Sequence, residues 1–524
     1  MDPLSQLIEA HKFPCEFGDS WLTDDLYYKQ IVDSLSTCDP RLRRRDPRAT
    51  FIKKIPWPLQ RTRVTVLESQ AAGHSFQERT VYNDPDTFRA SFQNTTPASG
   101  PDRRRIIIME GQAPAYIGTV GIELGVHPSF FVDHERDSNP EAFQAAAAYY
   151  STPLPSVVKE HVTMRYYELV YMPEHVRRFR VFCADTGRPI SVTRVLGDFA
   201  DTGRAHRKVS VWRRQREGGT GWDCVIVTDP PITSVCMSYE NFIPIPLSSW
   251  PWQGGYPDFV PHQRQMRTRE GPPRTSMLDD LVFYIEKHFD LFDSIGLDAT
   301  LSLAQKIVAS HYRQHVGFIQ ALISHVEHSM SRQENLDIFN TTTVEKQWSD
   351  VQSYERRLSY TCLDLESIML QCHIPFAPPD TKASAANWQS SEVDFQSLYM
   401  AFKEVKQRVE LLGSSITGLA GIAGNRQAVE EQILSRQEAT NVKALAIVGL
   451  LFVPLAYVTG IFGMEGPYAP GDEKFWVYWA VALPSCAVAF ITYFVWGGYL
   501  TRSCITTSNK SELRRQQSRS DCVC

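Results

Sequence analysis

The chain has 524 residues, 43% hydrophobic and 22% charged, a composition that folds and excludes wholesale disorder. Lys and Arg total 54 against 59 Asp and Glu, a net charge of −5, which argues against a dedicated nucleic-acid binder. Mean hydropathy is −0.27, so most of the chain lives in water, but that average hides two apolar segments near the C-terminus.

At roughly 150 residues per domain, two to four domains are expected. Met1 to Pro14 lacks the basic region and apolar run of a signal peptide, and Asp2 and Glu9 argue against a transit peptide. The bulk of the chain is therefore expected in the cytosol. The 11 cysteines are scattered and none forms a C-x-x-C pair, which fits reduced thiols. Cys504, just past the second apolar segment, is a palmitoylation candidate set against the commoner free thiol.

Residues 1–275 read as mixed α/β. Short β-rich runs recur at Arg105–Met109, Glu168–Tyr171, Phe179–Phe182 and Val225–Thr228, separated by turn signals. Gly121–Glu135 suggests a strand or turn entering a helix. Two basic clusters interrupt the region. One runs from Arg41 to Arg63; the other is Arg204, Arg207, Lys208, Arg213, Arg214 and Arg216. A solvated face or mobile loop is the favoured reading of both, over contact with anionic lipid. From 243 to 275 the chain is dense in proline, which sustains neither a helix nor a central strand, so a linker or a wrapped surface segment is expected there.

Residues 276–390 turn helical, starting with Leu278, Leu281, Val282, Ile285 and Phe289 at helical spacing. A break is expected near 340–343, and Pro375, Pro378 and Pro379 end the pattern. Residues 391–443 read as one stalk helix, with Ser391 and Asp394 as capping candidates. Its apolar stripe, Leu398, Phe402, Val405, Val409, Leu412, Ile416, Leu419 and Ala423, alternates steps of four and three and is expected to pack on neighbouring copies, as in a coiled coil. Gly413, Gly418, Gly421 and Gly424 mark either close helix contacts or a flexible point.

Residues 444–462 and 475–496 carry no charge and are long enough to cross a hydrocarbon core of about 30 Å. Trp476, Tyr478, Trp479, Trp496 and Tyr499 form aromatic belts at the ends of the second segment. The loop 463–474 holds Glu465, Asp472 and Glu473 against one Lys, while Arg436 and Lys443 precede the first span and Arg502, Lys510, Arg514, Arg515 and Arg519 follow the second. This bias places both termini in the cytosol and the acidic loop outside. The basic tail 497–524 suits contact with anionic lipid. A plasma membrane is the default, with an internal membrane as the alternative. One hairpin cannot enclose a water-filled path, so conduction requires several copies around an axis.

His311, His315, His325 and His328 form one pair at i, i+4 and one at i, i+3, each spaced to hold a transition metal on a helix face. The pairs lie about 20 Å apart along a helix, so they make no single site, and ordinary surface or core histidines are the better reading. No G-x-S-x-G, Walker A, H-E-x-x-H or G-x-G-x-x-G pattern is present.

The stretch KALAIVGLLFVPLAYVTGIFGMEG from Lys443 resembles the first transmembrane helix of the CorA-type magnesium transporter superfamily. The matching details are a Lys at the cytosolic edge, Pro454 in mid-span, the Gly460-containing approach, and Gly463-Met464, followed by an acidic loop, a second span and a basic tail. The resemblance implies an α/β cytosolic domain, a long helical stalk and a C-terminal two-helix transmembrane hairpin. It implies a homo-oligomer, a pentamer in this family, that transports a divalent cation and needs no cofactor. The cation is Mg²⁺ first, with Zn²⁺ or another transition metal as the alternative. By family position the pore would be lined by Leu445, Gly449, Val453 and Ala456, with the selectivity motif at Gly463, Met464 and Glu465. The family has Gly-Met-Asn there, and this chain has Gly-Met-Glu. Five carboxylates would attract divalent cations far more strongly than amide oxygens, and would raise one another's pKa values. A non-conducting, membrane-anchored regulatory or scaffolding relative is the second reading. An enzyme on a membrane anchor is the third, against which the missing catalytic motifs weigh.

Overall fold

The computed structural model describes residues 22–39, 42, 62–69, 76, 78–93, 102–135, 159–172, 181–193, 202–236, 244–248, 250–261, 270–291, 297–336, 341–380, 388–461, 463 and 470–495. The chain divides into two compact units, Met1–Thr417 and Gly418–Cys524.

In the first unit, strands β1 (Arg63–Ser69), β2 (Glu78–Tyr82), β3 (Arg104–Glu110), β4 (His161–Tyr171), β5 (Val181–Cys183), β6 (Pro189–Thr193), β7 (Thr202–Gln215), β8 (Trp222–Thr228), β9 (Ser234–Cys236), β10 (Ile245–Pro246) and β11 (Trp250–Pro251) form one sheet. The long strand β7 organises it. Along one edge β7 pairs with β4 from His161↔Trp212 to Tyr171↔Thr202. Its other edge is shared, Thr202–Ala205 pairing with β6 and Val209–Gln215 with β8. Beyond β8 lies β3, paired in parallel from Arg104↔Trp222 to Glu110↔Thr228. The IIIM and VIVT runs of β3 and β8 are buried at every position, as strands covered on both faces must be.

Successive side chains on these strands point to opposite faces, and each face has its own cover. Val64, Val66, Ile107, Met109, Val225 and Val227 pack beneath α1 (Leu26–Leu35), α2 (Pro85–Gln93), α3 (Pro114–Leu124) and α4 (Pro128–Glu135), against Tyr28, Phe88, Tyr116, Ile117, Phe130 and Phe131. Gly121 is where the Tyr28 ring lies: a Cβ there would sit 2.8 Å from Cε1 and closer still to Cζ and Cε2. Gly121–Leu124 therefore close helix α3 rather than form a strand, and Gly125, at φ 62°, turns the chain toward α4. On the other face, α5 (Met277–His288), α6 (Asp298–Leu336) and α7 (Thr341–Gln371) are tied to the sheet. The Cys224 thiol donates to Thr300 Oγ1 at 3.4 Å, and Tyr312 donates to the Arg165 carbonyl at 2.8 Å. Ser276 caps α5, accepting the Asp279 N–H at 3.2 Å. The described part of the proline-rich stretch is wrapped onto the fold, with Leu247, Trp252, Tyr256 and Val260 buried.

Helix α8 is unbroken from Glu392 to Ile461. The stripe up to Ile416 does not wait for a neighbouring copy, whereas Leu419 is only half-buried and nothing is described of the Ala423 side chain. Phe395, Leu398, Phe402, Val405, Val409, Leu412 and Ile416 are all buried by this chain, because α6 and α7 present matching apolar faces. Phe402 meets Tyr312 and His315 with ring centroids 6.0 and 5.7 Å away. Ser391 is not a capping acceptor here: its hydroxyl donates to the Gln305 amide oxygen at 2.6 Å, and Asp394 pairs with Lys306 at 2.6 Å. Of the four stalk glycines, Gly413 approaches Val351 of α7, whereas Gly418, Gly421 and Gly424 have open space where a Cβ would go.

In the second unit, α8 continues and α9 (Trp476–Val495) packs beside its end. Val458, Ala482 and Cys486 are buried at that contact, and the Thr459 and Tyr478 hydroxyls lie 3.2 Å apart.

Candidate functional site

Gln427–Ile461 and Trp476–Val495 are long and apolar enough to cross a membrane. Only 6% and 11% of their apolar windows are buried within the chain, which separates them from core helices of a water-soluble fold.

The candidate pore residues occupy one arc of α8. At 3.6 residues per turn, Leu445, Gly449, Val453, Ala456 and Gly460 fall within about 80° of one another. Leu451 and Val458 fall roughly opposite, on the side that meets α9: Val458 is buried, and the Leu451 carbonyl accepts from the Cys486 thiol at 3.9 Å. Leu445 is 74% exposed, Val453 68%, and Ala456 is also exposed. A Cβ added at Gly449 or Gly460 would meet nothing within 4 Å. The hairpin thus turns an uncharged row of small and aliphatic residues away from its own second helix. Pro454 lies inside the helix and supplies no N–H to it. Gly463 follows the helix end at φ 21°, a left-handed value that favours glycine. Met464 and Glu465 lie outside the described residues, as do Trp496, Tyr499 and the basic tail.

The four histidines divide by environment. The His311 ring packs between Tyr166 and Tyr256, both with centroids 4.9 Å away, and His315 packs against Tyr167 and Phe402. Burial pulls the His311 pKa down to about 4 and that of His315 well below its usual value, so both rings are neutral. His325 and His328 are exposed. No group of three or more His, Cys, Asp or Glu able to hold a metal occurs among the described residues.

The second basic cluster is not a loop. It is strand β7, and Arg204, Arg207 and Lys208 are 5%, 3% and 1% exposed. Acceptors on a neighbouring strand and on α4 explain two of the three. Arg207 pairs with Glu168 of β4 at 2.9 Å, Asp229, just past β8, takes Arg188 at 2.8 Å, and the Lys208 ammonium donates to the Asp133 and His134 carbonyls of α4 at 3.2 Å each. At the solvated end Arg216 pairs with Asp223 at 2.7 Å, and Arg213 pairs with Asp298. In the first cluster, Arg63 pairs with Glu110 and Asp279 at 3.1 and 2.9 Å; Arg43, Arg44, Arg45, Lys53 and Lys54 lie outside the described residues.

Asp229 also assembles a constellation invisible in the sequence. His134 Nε2 is 3.3 Å from its carboxylate, and His134 Nδ1 is 3.0 Å from Ser210 Oγ, which lies 2.9 Å from Thr163 Oγ1. Burial holds the His134 pKa down to about 4, while Arg188 and His134 hold the Asp229 carboxyl far below the usual range against its own burial. The neutral ring therefore donates Nε2–H to Asp229 and accepts from a hydroxyl at Nδ1. The residue types are those of a nucleophile, base and orienting acid, but Ser210, His134 and Asp229 are 0%, 2% and 2% exposed. A nucleophile must reach its substrate, and this hydroxyl is enclosed between sheet and helix. The chain of hydrogen bonds fastens α4 to β7 and β8. The clue available in the sequence was the alternation Arg204, His206, Lys208, Ser210, a polar face on a strand otherwise patterned for burial.

Residues 380–502 match the family model described as CorA-like Mg²⁺ transporter protein. The chain carries a CorA-like domain. That segment holds all of α8, the row of candidate pore residues along it and both apolar helices. Among solved structures, the full-length CmaX protein aligns at 11% identity with a TM-score of 0.30, over 83% of this chain and 98% of its own. The CorA magnesium transporter from Methanocaldococcus jannaschii aligns at 9% identity with a TM-score of 0.32, over 82% and 96%. No curated protein matches the chain. The chain as a whole sets out a mixed α/β region, then long helices, then two apolar helices long enough to cross a membrane.

Proposed function

We propose that this chain is a divalent-cation transporter of the CorA-like type, Mg²⁺ being the first candidate cargo and Zn²⁺ or another transition metal the alternative. The observation that carries the reading is the uncharged row of exposed Leu445, Val453 and Ala456 with half-buried Gly449, on the side of α8 opposite its contact with α9. Identical copies set around an axis, five if the family's number holds, would bring their rows to one lumen. Val453 and Leu445 would then form apolar rings that gate by dewetting. Pro454 and Gly460 shape the wall between them and the mouth. With Gly463-Met464-Glu465 at an outer entrance, carboxylates would gather divalent cations before the neutral row. Both chain ends would lie in the cytosol. Flow would be passive and driven by the membrane potential, about 4.6 kcal/mol per 100 mV for two charges.

A second reading, a non-conducting relative that scaffolds or regulates other proteins, is favoured by one sequence fact, Glu465 in place of the family's Asn. Purified protein in liposomes distinguishes the two. Flux of Mg²⁺, Zn²⁺, Co²⁺ or Ni²⁺ is expected, is lost in Glu465→Lys, and in Val453→Cys becomes sensitive to a water-soluble thiol reagent. No flux of any of these ions from correctly assembled oligomers would leave the scaffold reading standing.

A further inference from the structure

Arg204 is a buried cation that neither a carboxylate nor a carbonyl explains. Among the described residues it makes no ion pair and no hydrogen bond, and its Nε and Nη1 are buried without a partner. Its guanidinium lies over the Tyr167 ring at 4.5 Å, which accounts for one face of the group but not for its N–H edge. That residue lines a pocket between β7, α6 and α7, together with His315, Phe318, Leu322, Tyr354 and Arg357. Arg357 brings a second guanidinium to the same space. Burial first, and the nearby Arg204 second, lower its pKa to about 10, and the carboxylate in its field is Asp350. His315 is neutral, and its Nδ1 is also buried without a partner.

Leaving a buried guanidinium edge unpaired is costly. A water molecule would satisfy hydrogen bonds but would not offset the charge of Arg204. The space open to a water-sized particle is about 20 Å³, enough for a single atom-sized guest and too little for a phosphate. The wall supplies N–H donors on one side and the apolar Phe318 and Leu322 on the other. That combination suits a weakly hydrated monatomic anion.

We propose that this pocket is a halide site, occupied by chloride, in which Arg204 and Arg357 hold the ion and a His315 N–H completes the donor set. The ion would join β7 to α6 and α7, the two helices on which the stalk end of α8 packs. The site is independent of the transport reading and can be tested without flux.

The full-length protein in detergent would be heated in chloride, bromide, gluconate and sulfate at matched ionic strength. Chloride and bromide are expected to raise the unfolding temperature in a saturating way, with gluconate and sulfate without effect. Arg204→Met is expected to lose this dependence while remaining at least as stable as wild type in gluconate, since it removes an unpaired buried charge. Crystals of wild type grown with bromide should show an anomalous peak between Arg204 and Arg357. Equal melting in all four salts, a stronger effect of sulfate, or bromide crystals without that peak would each overturn the assignment. The wild-type measurements decide even if Arg204→Met fails to fold.

Discussion

Asp280 offers a quantitative test of the packing between the proline-rich segment and α5. Its carboxylate is 3% exposed and accepts the Tyr256 hydroxyl and the Arg274 N–H, each at 2.7 Å. Burial is the dominant influence and raises its pKa from 3.8 to about 6, against the pull of those two donors. Glu168 adds to the rise and Arg274 opposes it. The folded protein therefore binds this proton more tightly than the unfolded chain. The associated stability is fully present below about pH 4 and is lost as the pH rises to about 6. At 1.36 kcal/mol for each pH unit between the two values, the loss is about 3 kcal/mol at neutral pH.

Asp280→Asn removes the titration and keeps the shape. The amide oxygen can accept the Arg274 N–H, and the amide nitrogen can donate to the Tyr256 oxygen. Above pH 6 the variant should be more stable than wild type, by up to about 3 kcal/mol. Near pH 4 the two should converge, or the variant should fall slightly lower if the Tyr256 contact loosens. Chemical unfolding of both full-length proteins at closely spaced pH values reads the difference, in which the other carboxylates cancel. Two parallel curves across this range would show that Asp280 titrates alike in the folded and unfolded states, and the argument from burial would fail.

Two further substitutions probe the core, each read from the unfolding transition of the full chain. Gly121→Ala should destabilise by about 1–3 kcal/mol, because its Cβ would overlap the Tyr28 ring, whose hydroxyl is fixed to the Val126 carbonyl at 2.7 Å; an unchanged transition would mean that the ring yields freely. Phe402→Ala should cost about 3–5 kcal/mol, since the ring is 0% exposed and fills the space between Tyr312 and His315. A loss below 1 kcal/mol would mean that α8 is held by its polar contacts alone.

What could be read from the sequence follows from how far apart the interacting residues lie. The two apolar helices, the helix starting after Ser276 and the strands around Arg105–Met109 and Val225–Thr228 are local signals, carried by composition and period within a few turns or strand repeats. The order of elements was legible for the same reason. Pairings between distant positions were not. A run such as Arg204, Arg207 and Lys208 looks like a solvated face until Glu168 on β4 and the Asp133 and His134 carbonyls on α4 are placed beside it, 39, 75 and 74 residues away from their partners. Buried charge is rare because it is costly, so sequence reasoning rightly starts from exposure. What overrides that default is a long strand flanked on both edges, and strand pairing is a non-local fact. The stalk stripe failed in a related way: its period was read correctly, but period does not say whether the partner is another copy or an earlier helix of the same chain.

The same distinction bears on the exposed row of α8. A lone hairpin in lipid gains nothing from water exclusion by pairing its helices, since lipid tails are as apolar as leucine. Helices then associate where small residues let backbones approach closely. Gly449, Ala456 and Gly460 are such residues, yet they lie away from α9, where Val458 makes the contact instead. Small residues on a face that met only lipid would lower helix propensity, by about 1 kcal/mol for each glycine, with no packing in return. Their placement is accounted for if that face meets other copies or lines a lumen between them. It is this economy of the sequence, together with the uncharged character of the row, that favours an assembly of hairpins over a single anchor.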